Sequence, residues 1–268
     1  MKSIGFIGMG NMAGAMLRGM LKVFAPEELA FAEKNEAQGK RVAEETGVEY
    51  LASNEACASM VKYLILAVKP QFMQEVLNDI RTEIKEGQIV ISIAAGVTIA
   101  DIKNVLGENV RVVRVMPNTP ALLGEGMTGV CYDSSAYSEG EMSVIKQIFE
   151  SFGKMQVVTE KLMNAVICVS GSSPAYVYMF IEALADGAVK YGLPRNAAYE
   201  MAAQTVLGAA KMVLETGKHP GELKDMVCSP AGTTIAGVAA LEEYGFRNAI
   251  IKACDECYEK AESMSKNK

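Results

Sequence analysis

The chain has 268 residues, half of them apolar, and a net charge of −6, which is room for one or two domains with a large core. The acidic balance and the absence of any basic block argue against nucleic acid as a partner. Six scattered cysteines follow no disulfide framework, and Gly5, Gly8, Gly10 and Asn11 interrupt the first apolar stretch before it can serve as a secretory signal, so a cytoplasmic protein is expected.

In chain order, Ile4 to Ile7 reads as a buried strand and runs straight into G-x-G-x-x-A spacing at Gly8, Gly10 and Ala13. Met12, Ala15, Met16, Gly19 and Met20 continue at helical spacing. Strand, glycine turn and helix in this order make a dinucleotide fingerprint. Gly8 makes the turn, Gly10 admits a pyrophosphate, and Ala13 lets helix and strand pack closely. The phosphates would rest on free N–H groups at the helix start, among them those of Asn11 and Met12. Leu29 to Ala32 reads as a second strand, followed by Glu33, Lys34 and Asn35. An acidic residue there suits the ribose hydroxyls of NAD, and a basic one the 2′-phosphate of NADP. Both are present; the reading favours NADPH, with Lys34 as phosphate partner and NADH as the alternative.

A helix over 37–46 leads to a strand around 48–51, and Ser53-Asn54-Glu55 looks like a helix cap. Further apolar strands are expected at 63–68, 88–94, 110–115, 126–132 and 155–158, with an amphipathic helix marked by Met142, Ile145, Phe149 and Phe152. The alternation predicts an α/β fold with a doubly wound sheet of Rossmann type over residues 1–160. From 161 to 268 the pattern becomes helical, with helices expected at 161–170, 174–191, 195–216, 220–227, 231–243 and 246–266. Ala and Met recur on them, which suits close packing against a second subunit. Leu162 to Ile181 carries no charge over 20 residues, the length of a bilayer span. Ser170-Gly171-Ser172-Ser173-Pro174 breaks it, and a buried segment with a turn, away from any membrane, is expected.

Three groups of residues carry the expected chemistry. The loops at the strand ends would trace a dinucleotide from pyrophosphate to nicotinamide; besides Gly8, Gly10, Asn11, Met12 and Lys34 they supply Ala67, Val68, Lys69, Pro70, Ala95, Met116 and Asn118, with Asn54 beside them. Ser229-Pro230-Ala231-Gly232-Thr233-Thr234 precedes a helix and forms a candidate anion nest for a substrate carboxylate, with a plain helix cap as the alternative. Ser170 to Tyr176 places hydroxyls at a helix break, with a simple kink as the alternative. The single histidine, His219, lies beside Pro220 in a turn-like stretch and makes a poor candidate base. Cys254 and Cys257 have C-x-x-C spacing inside a helical pattern, which favours packing over metal or redox work. No metal cluster is expected.

G-F-I-G-M-G-N-M-A, A-V-K-P-Q, S-I-A-A-G-V, R-V-M-P-N-T-P, S-G-S-S-P-A-Y and S-P-A-G-T-T occur in that order. Together they resemble the pyrroline-5-carboxylate reductase family over nearly the whole chain. The resemblance implies a Rossmann domain followed by an all-α substrate and dimerisation domain. It implies reduction by NAD(P)H of the C=N bond of L-1-pyrroline-5-carboxylate to L-proline, the last step of proline biosynthesis. The substrate carboxylate would lie on Gly232, Thr233 and Thr234 with Ser229 nearby, and the Thr234 hydroxyl would bond the ring nitrogen. Homodimers, stacked into a ring such as a decamer, are implied as well. Ala231 departs from the family, where many members have a second glycine; the change is expected to be mild. The β-hydroxyacid dehydrogenases share the opening motif, and Lys161 and Asn164 match their K-x-x-N spacing, but S-P-A-G-T-T is not theirs. A nucleotide-sensing protein without turnover is a further alternative.

Overall fold

The computed structural model describes residues 2–266 of the chain. It divides into two compact units. One runs to Ser172 and is taken up again at Cys257, and the other spans Ser173–Glu256.

The first unit alternates strand and helix: β1 (Lys2–Ile7), α1 (Asn11–Met20), β2 (Leu29–Ala32), α2 (Glu36–Thr46), β3 (Glu49–Leu51), α3 (Asn54–Met60), β4 (Val61–Leu66), α4 (Met73–Ile80), β5 (Ile89–Ser92), α5 (Ile99–Leu106), β6 (Arg111–Met116), β7 (Gly126–Cys131), α6 (Glu139–Glu150) and β8 (Gly153–Val157). The strands form one eight-stranded sheet in the order β3-β2-β1-β4-β5-β6-β7-β8. Among the described residues only the β6–β7 pair is antiparallel. Period-two side chains explain how the sheet is covered on both faces. Ile4 and Phe6 of β1 and Tyr63 and Ile65 of β4 join one core with α1 and α6, while Ile7, Leu64 and Leu66 join the other with α3 and α4.

Local chemistry sets the helix starts. The Asn35 side chain accepts from the Gln38 N–H at the start of α2, Ser53 from Ala56 at α3, and Thr98 and Ser138 form capping boxes with Asp101 and Glu141 at α5 and α6. The Ser53 cap is where the sequence suggests it. Helices α4 and α5 lie between strands where the sequence reading names only the strands.

After β8 the chain forms α7 (Met163–Val166) and a single π-helical turn over Ile167–Gly171. The second unit then contains α8 (Ser173–Lys190), α9 (Arg195–Thr216), α10 (Pro220–Val227) and α11 (Thr233–Glu243), and α12 (Phe246–Lys266) begins in it. The uncharged segment from Leu162 to Ile181 requires a correction. Its hydroxyl-rich break is a turn, where the Ser170 Oγ donates to the Val166 carbonyl at 3.0 Å. The segment is not buried within the chain, however. The span Glu160–Lys190 is apolar and long enough to cross a membrane by composition, and only 11% of its most apolar window is buried. Val169, Tyr178 and Met179 are exposed.

Candidate active site

The first group of residues gathers where β1, β2 and β4 end. Strand order reverses at β1, so the carboxyl ends of its neighbours splay apart and leave a crevice. A cavity of about 510 Å³ occupies it, lined by Gly8, Gly10, Lys34, Asn54, Ala67, Val68 and Lys69 together with Met9, Glu33, Gln38, Phe72 and Glu75. The two glycines serve different purposes. Gly8 has φ +88°, and a Cβ there would lie 2.9 Å from both the Ala67 carbonyl oxygen and Val68 Cγ1. Its glycine is demanded by the fold. Gly10 has φ −75°, a value open to any residue, and a Cβ there would meet no protein atom within 4 Å. What Gly10 keeps clear is space outside the protein, at the N-terminus of α1, where no side chain caps the helix. That is the cradle an anion needs.

Around the turn, backbone and side chains are pinned. The Gly8 N–H donates to the Ala32 carbonyl and the Ala67 N–H to the Ile7 carbonyl. The Glu33 carboxylate accepts from Met9 N–H at 2.8 Å and from Asn35 N–H at 2.9 Å. The Gln38 amide donates to the Met9 carbonyl. Glu33 therefore spends two acceptor positions on holding the turn. Lys34 is exposed, with Nζ 3.4 Å from Glu75 Oε1, and Asn54 Nδ2 donates to Asp79 Oδ2 at 3.1 Å.

The remaining residues of this group are held elsewhere in the same unit. Asn11 and Met12 open α1, and Pro70 starts a short 3₁₀ turn just past the cavity. Ala95 packs against a small cluster containing Met116 and Met163. The buried Asn118 side chain donates to the Ser170 carbonyl at 3.0 Å and accepts from Met127 N–H at 2.8 Å, so its amide ties β7 to the π-helical turn.

Sequence reasoning passed over Gln38, Phe72, Glu75 and Asp79. Gln38 is the third residue of a capped helix, and Phe72 follows Pro70 at a strand-end loop; both positions were readable as crevice rim. Glu75 and Asp79 lie on α4, and only the tertiary arrangement brings them to the end of β2.

The second group, Ser229 to Thr234, lies in the second unit. Ala231 has φ +57° and is the one described non-glycine residue with positive φ. A left-handed Cβ costs about 1–2 kcal/mol, and the greater backbone entropy that glycine loses on folding offsets part of that, so the departure from glycine leaves a small net strain. The positive φ also explains why α11 begins at Thr233 and not at 231. Gly232 caps the helix without any side-chain hydrogen bond, so the N–H groups of the first turn have no side-chain partner and a capping box is absent. A Cβ on Gly232 would collide with Ser229 Oγ, so glycine is required for the Ser229 hydroxyl to close over the turn. Thr234 is half-buried on the first turn of α11.

His219 accepts the Gly221 N–H on Nδ1 at 3.0 Å and so caps α10. Lys161 is exposed in a 3₁₀ turn, and Asn164 lies in α7. Cys254 and Cys257 lie on α12, where Cys257 Sγ is 3.2 Å from Ser172 Oγ.

A doubly wound sheet with a glycine turn and an uncapped helix facing a crevice at its switch point defines a dinucleotide-binding protein of Rossmann type. A family model described as "NADP oxidoreductase coenzyme F420-dependent" matches residues 3–96, and one described as "Pyrroline-5-carboxylate reductase dimerisation" matches residues 160–264. A pyrroline-5-carboxylate reductase from Escherichia coli is 46% identical over 268 residues, covering 99% of each chain. One from Methanosarcina acetivorans is 44% identical, covering 99% of this chain and 98% of its own. A crystal structure of the Plasmodium falciparum pyrroline carboxylate reductase with NADP bound superposes with a TM-score of 0.88 at 32% identity, covering 98% of each chain. The chain belongs to the pyrroline-5-carboxylate reductase family and is an oxidoreductase. Its helical region is the part that matches the family's dimerisation model.

Proposed function

We propose that this enzyme reduces the C=N bond of L-1-pyrroline-5-carboxylate to L-proline with NADPH, NADH serving as a poorer or alternative donor. The observation that carries the cofactor half is Gly10, a glycine that neither backbone geometry nor protein packing requires. The free N–H groups of Asn11 and Met12 receive the pyrophosphate, with Gly8 shaping the turn. Lys34 and Asn54 reach the adenosine ribose. Ala67, Val68, Lys69 and Pro70 wall the crevice, and Ala95 and Met116 offer the small, apolar surface that suits a nicotinamide. Asn118 acts by positioning, since its amide is committed to backbone partners. Bound there, NADPH supplies the hydride that adds to the imine carbon.

In the second unit, the N–H groups of Gly232, Thr233 and Thr234 and the Ser229 hydroxyl hold the substrate carboxylate. Each charge-assisted bond of this kind contributes about 1.5–3 kcal/mol. Thr234 is the catalytic residue: its hydroxyl hydrogen-bonds the ring nitrogen and orients the C=N bond. Hydride addition discharges a protonated imine onto its own nitrogen, so the step calls for no acid from the protein. That fits a chain whose single histidine caps a helix. Residues 1–160 supply the NAD(P) site and 161–268 the substrate and dimerisation region. The assembly is a homodimer through the helical unit, and the family resemblance alone extends this to a ring such as a decamer. Six free cysteines suit a cytoplasmic location.

Two variants test the reading in an assay that follows NADPH oxidation by the imine. Gly10→Val leaves the fold intact by circular dichroism and raises the KM for NADPH at least about a hundredfold. Thr234→Ala lowers kcat/KM for the imine by about tenfold to a hundredfold and leaves the Kd for NADPH unchanged. Wild-type kinetics in Gly10→Val would remove the cofactor assignment, and wild-type kinetics in Thr234→Ala would remove the role of that hydroxyl.

A further inference from the structure

Beside the main cavity, a smaller one of about 210 Å³ opens past the end of β2. It shares Glu33, Lys34, Asn54 and Glu75 with its neighbour and adds Glu55 and Asp79. In this fold the end of the second strand meets the adenosine ribose, so this is where a 2′-phosphate would have to go. Its side-chain donors are Lys34, Asn54 and the Ser53 hydroxyl, and the first two already face carboxylates. Glu75 Oε1 lies 3.4 Å from Lys34 Nζ, and Asp79 Oδ2 accepts from Asn54 Nδ2 at 3.1 Å. Glu75 and Asp79 are four residues apart on α4, hence one turn apart on one face. With Glu33 and Glu55 they bring to four the carboxylates among the residues that line this cavity, against one ammonium.

A phosphate monoester adds a charge of about −1.5 to −2 and offers only acceptors once ionised. To bind here through Lys34 and Asn54 it must share them with Glu75 and Asp79, and it sits beside both carboxylates. A ribose 2′-hydroxyl meets no such opposition, because it can donate to a carboxylate. We infer that Glu75 and Asp79 are selectivity-determining residues: by engaging Lys34 and Asn54 they weaken the hold on a 2′-phosphate and keep the site open to NADH. The inference rests on the reading that the crevice holds the dinucleotide.

The experiment compares kcat/KM for NADPH with kcat/KM for NADH, at saturating imine, in wild-type enzyme and in Glu75→Gln, Asp79→Asn and the double variant. The NADPH-to-NADH ratio rises about threefold in each single variant and about tenfold in the double variant, the scale of exposed pairs acting on a doubly charged group. Added salt raises the ratio in wild-type enzyme, because screening relieves a net repulsion, and raises it less in the double variant. A general loss of structure would move both cofactors together and leave the ratio flat. A ratio within twofold of wild type overturns the inference, and a fall shows that the carboxylates pre-position the donors for phosphate. Gly10→Val separates the two levels of failure. If it abolishes binding of both nucleotides while the double variant leaves the ratio flat, only the selectivity role fails. If it binds both as wild type does, the cavity assignment fails and the inference with it.

Discussion

The two compact units bury their apolar residues in different ways. In the first, β2 and β5 are buried along their whole length, and the helices on both faces contribute side chains to two separate cores. In the second, α10 and α11 bury no residue at all, while α8 and α9 bury only Ala185, Ala198 and Ala202. Large apolar side chains lie open instead. A groove of about 480 Å³ lined by Met179, Phe180, Leu184, Leu241, Phe246 and Ile250 runs along this unit. A sheet is covered by helices that the same chain supplies at each crossover. Helices that bury only alanines and leave large apolar side chains open present the kind of face that a second chain covers. The contrast agrees with the dimerisation match over this part of the chain.

Four substitutions sharpen the contrast, taken here from the largest expected effect to the smallest. Phe152 is fully buried and meets Phe149 edge-on at 6.0 Å. Phe152→Ala is expected to lower stability by about 3–5 kcal/mol, in a denaturant titration whose midpoint does not depend on protein concentration. A concentration-dependent midpoint would show that the first unit, too, is held from outside.

Met179 is 69% exposed in the single chain, where a charge would cost less than about 0.5 kcal/mol. Met179→Glu is nevertheless expected to raise the dimer dissociation constant about thirtyfold or more, read by sedimentation, which corresponds to an interface contribution of at least about 2 kcal/mol. An unchanged dimer would move the interface off this groove.

Glu141 joins β6 to α6 in the first unit. Its carboxylate accepts from Arg111 at 2.8 Å and lies 2.9 Å from Lys62 Nζ. Arg111 above all holds its pKa down, from an ordinary 4.5 to about 2. The stabilisation is therefore complete above about pH 4.5 and is lost as the pH falls through about 2. Glu141→Gln should lower stability by about 2 kcal/mol near neutral pH, a difference that closes on acidification between those limits. A difference that stays constant with pH would assign the effect to packing and not to charge.

The smallest effect has the opposite sign. Ala231→Gly removes a left-handed Cβ and is expected to stabilise the second unit by about 0.5–1 kcal/mol, read from its thermal midpoint. A loss of stability would mean that the alanine methyl makes a contact worth more than the strain.

Much of the architecture was legible because periodicity is a local property. The strand Leu29–Ala32 and the helices Arg195–Thr216 and Pro220–Val227 fall at the residues that the apolar pattern and the Gly and Pro breaks indicate. The glycine turn was legible too, since strand, turn and helix are contiguous in sequence. The uncharged stretch from Leu162 to Ile181 reads as buried in the sequence and is largely exposed in the single chain. Hydropathy reports what a segment avoids, and whether its cover comes from the same chain or from another is a tertiary and quaternary matter.

The sequence by itself determined the class of fold, the nucleotide end of the crevice and, through its ordered motifs, the family. Each of these depends on residues close together in the chain or on their order along it. Only the tertiary structure decided that Gly8 serves the fold while Gly10 guards empty space, that Asn118 is spent on backbone partners, and that Ala231 is strained. It alone brought Glu75 and Asp79 to Lys34 and Asn54, residues 41 and 25 positions away along the chain. Backbone angles and distant neighbours leave no local signature, since both are set by how the strands and helices pack.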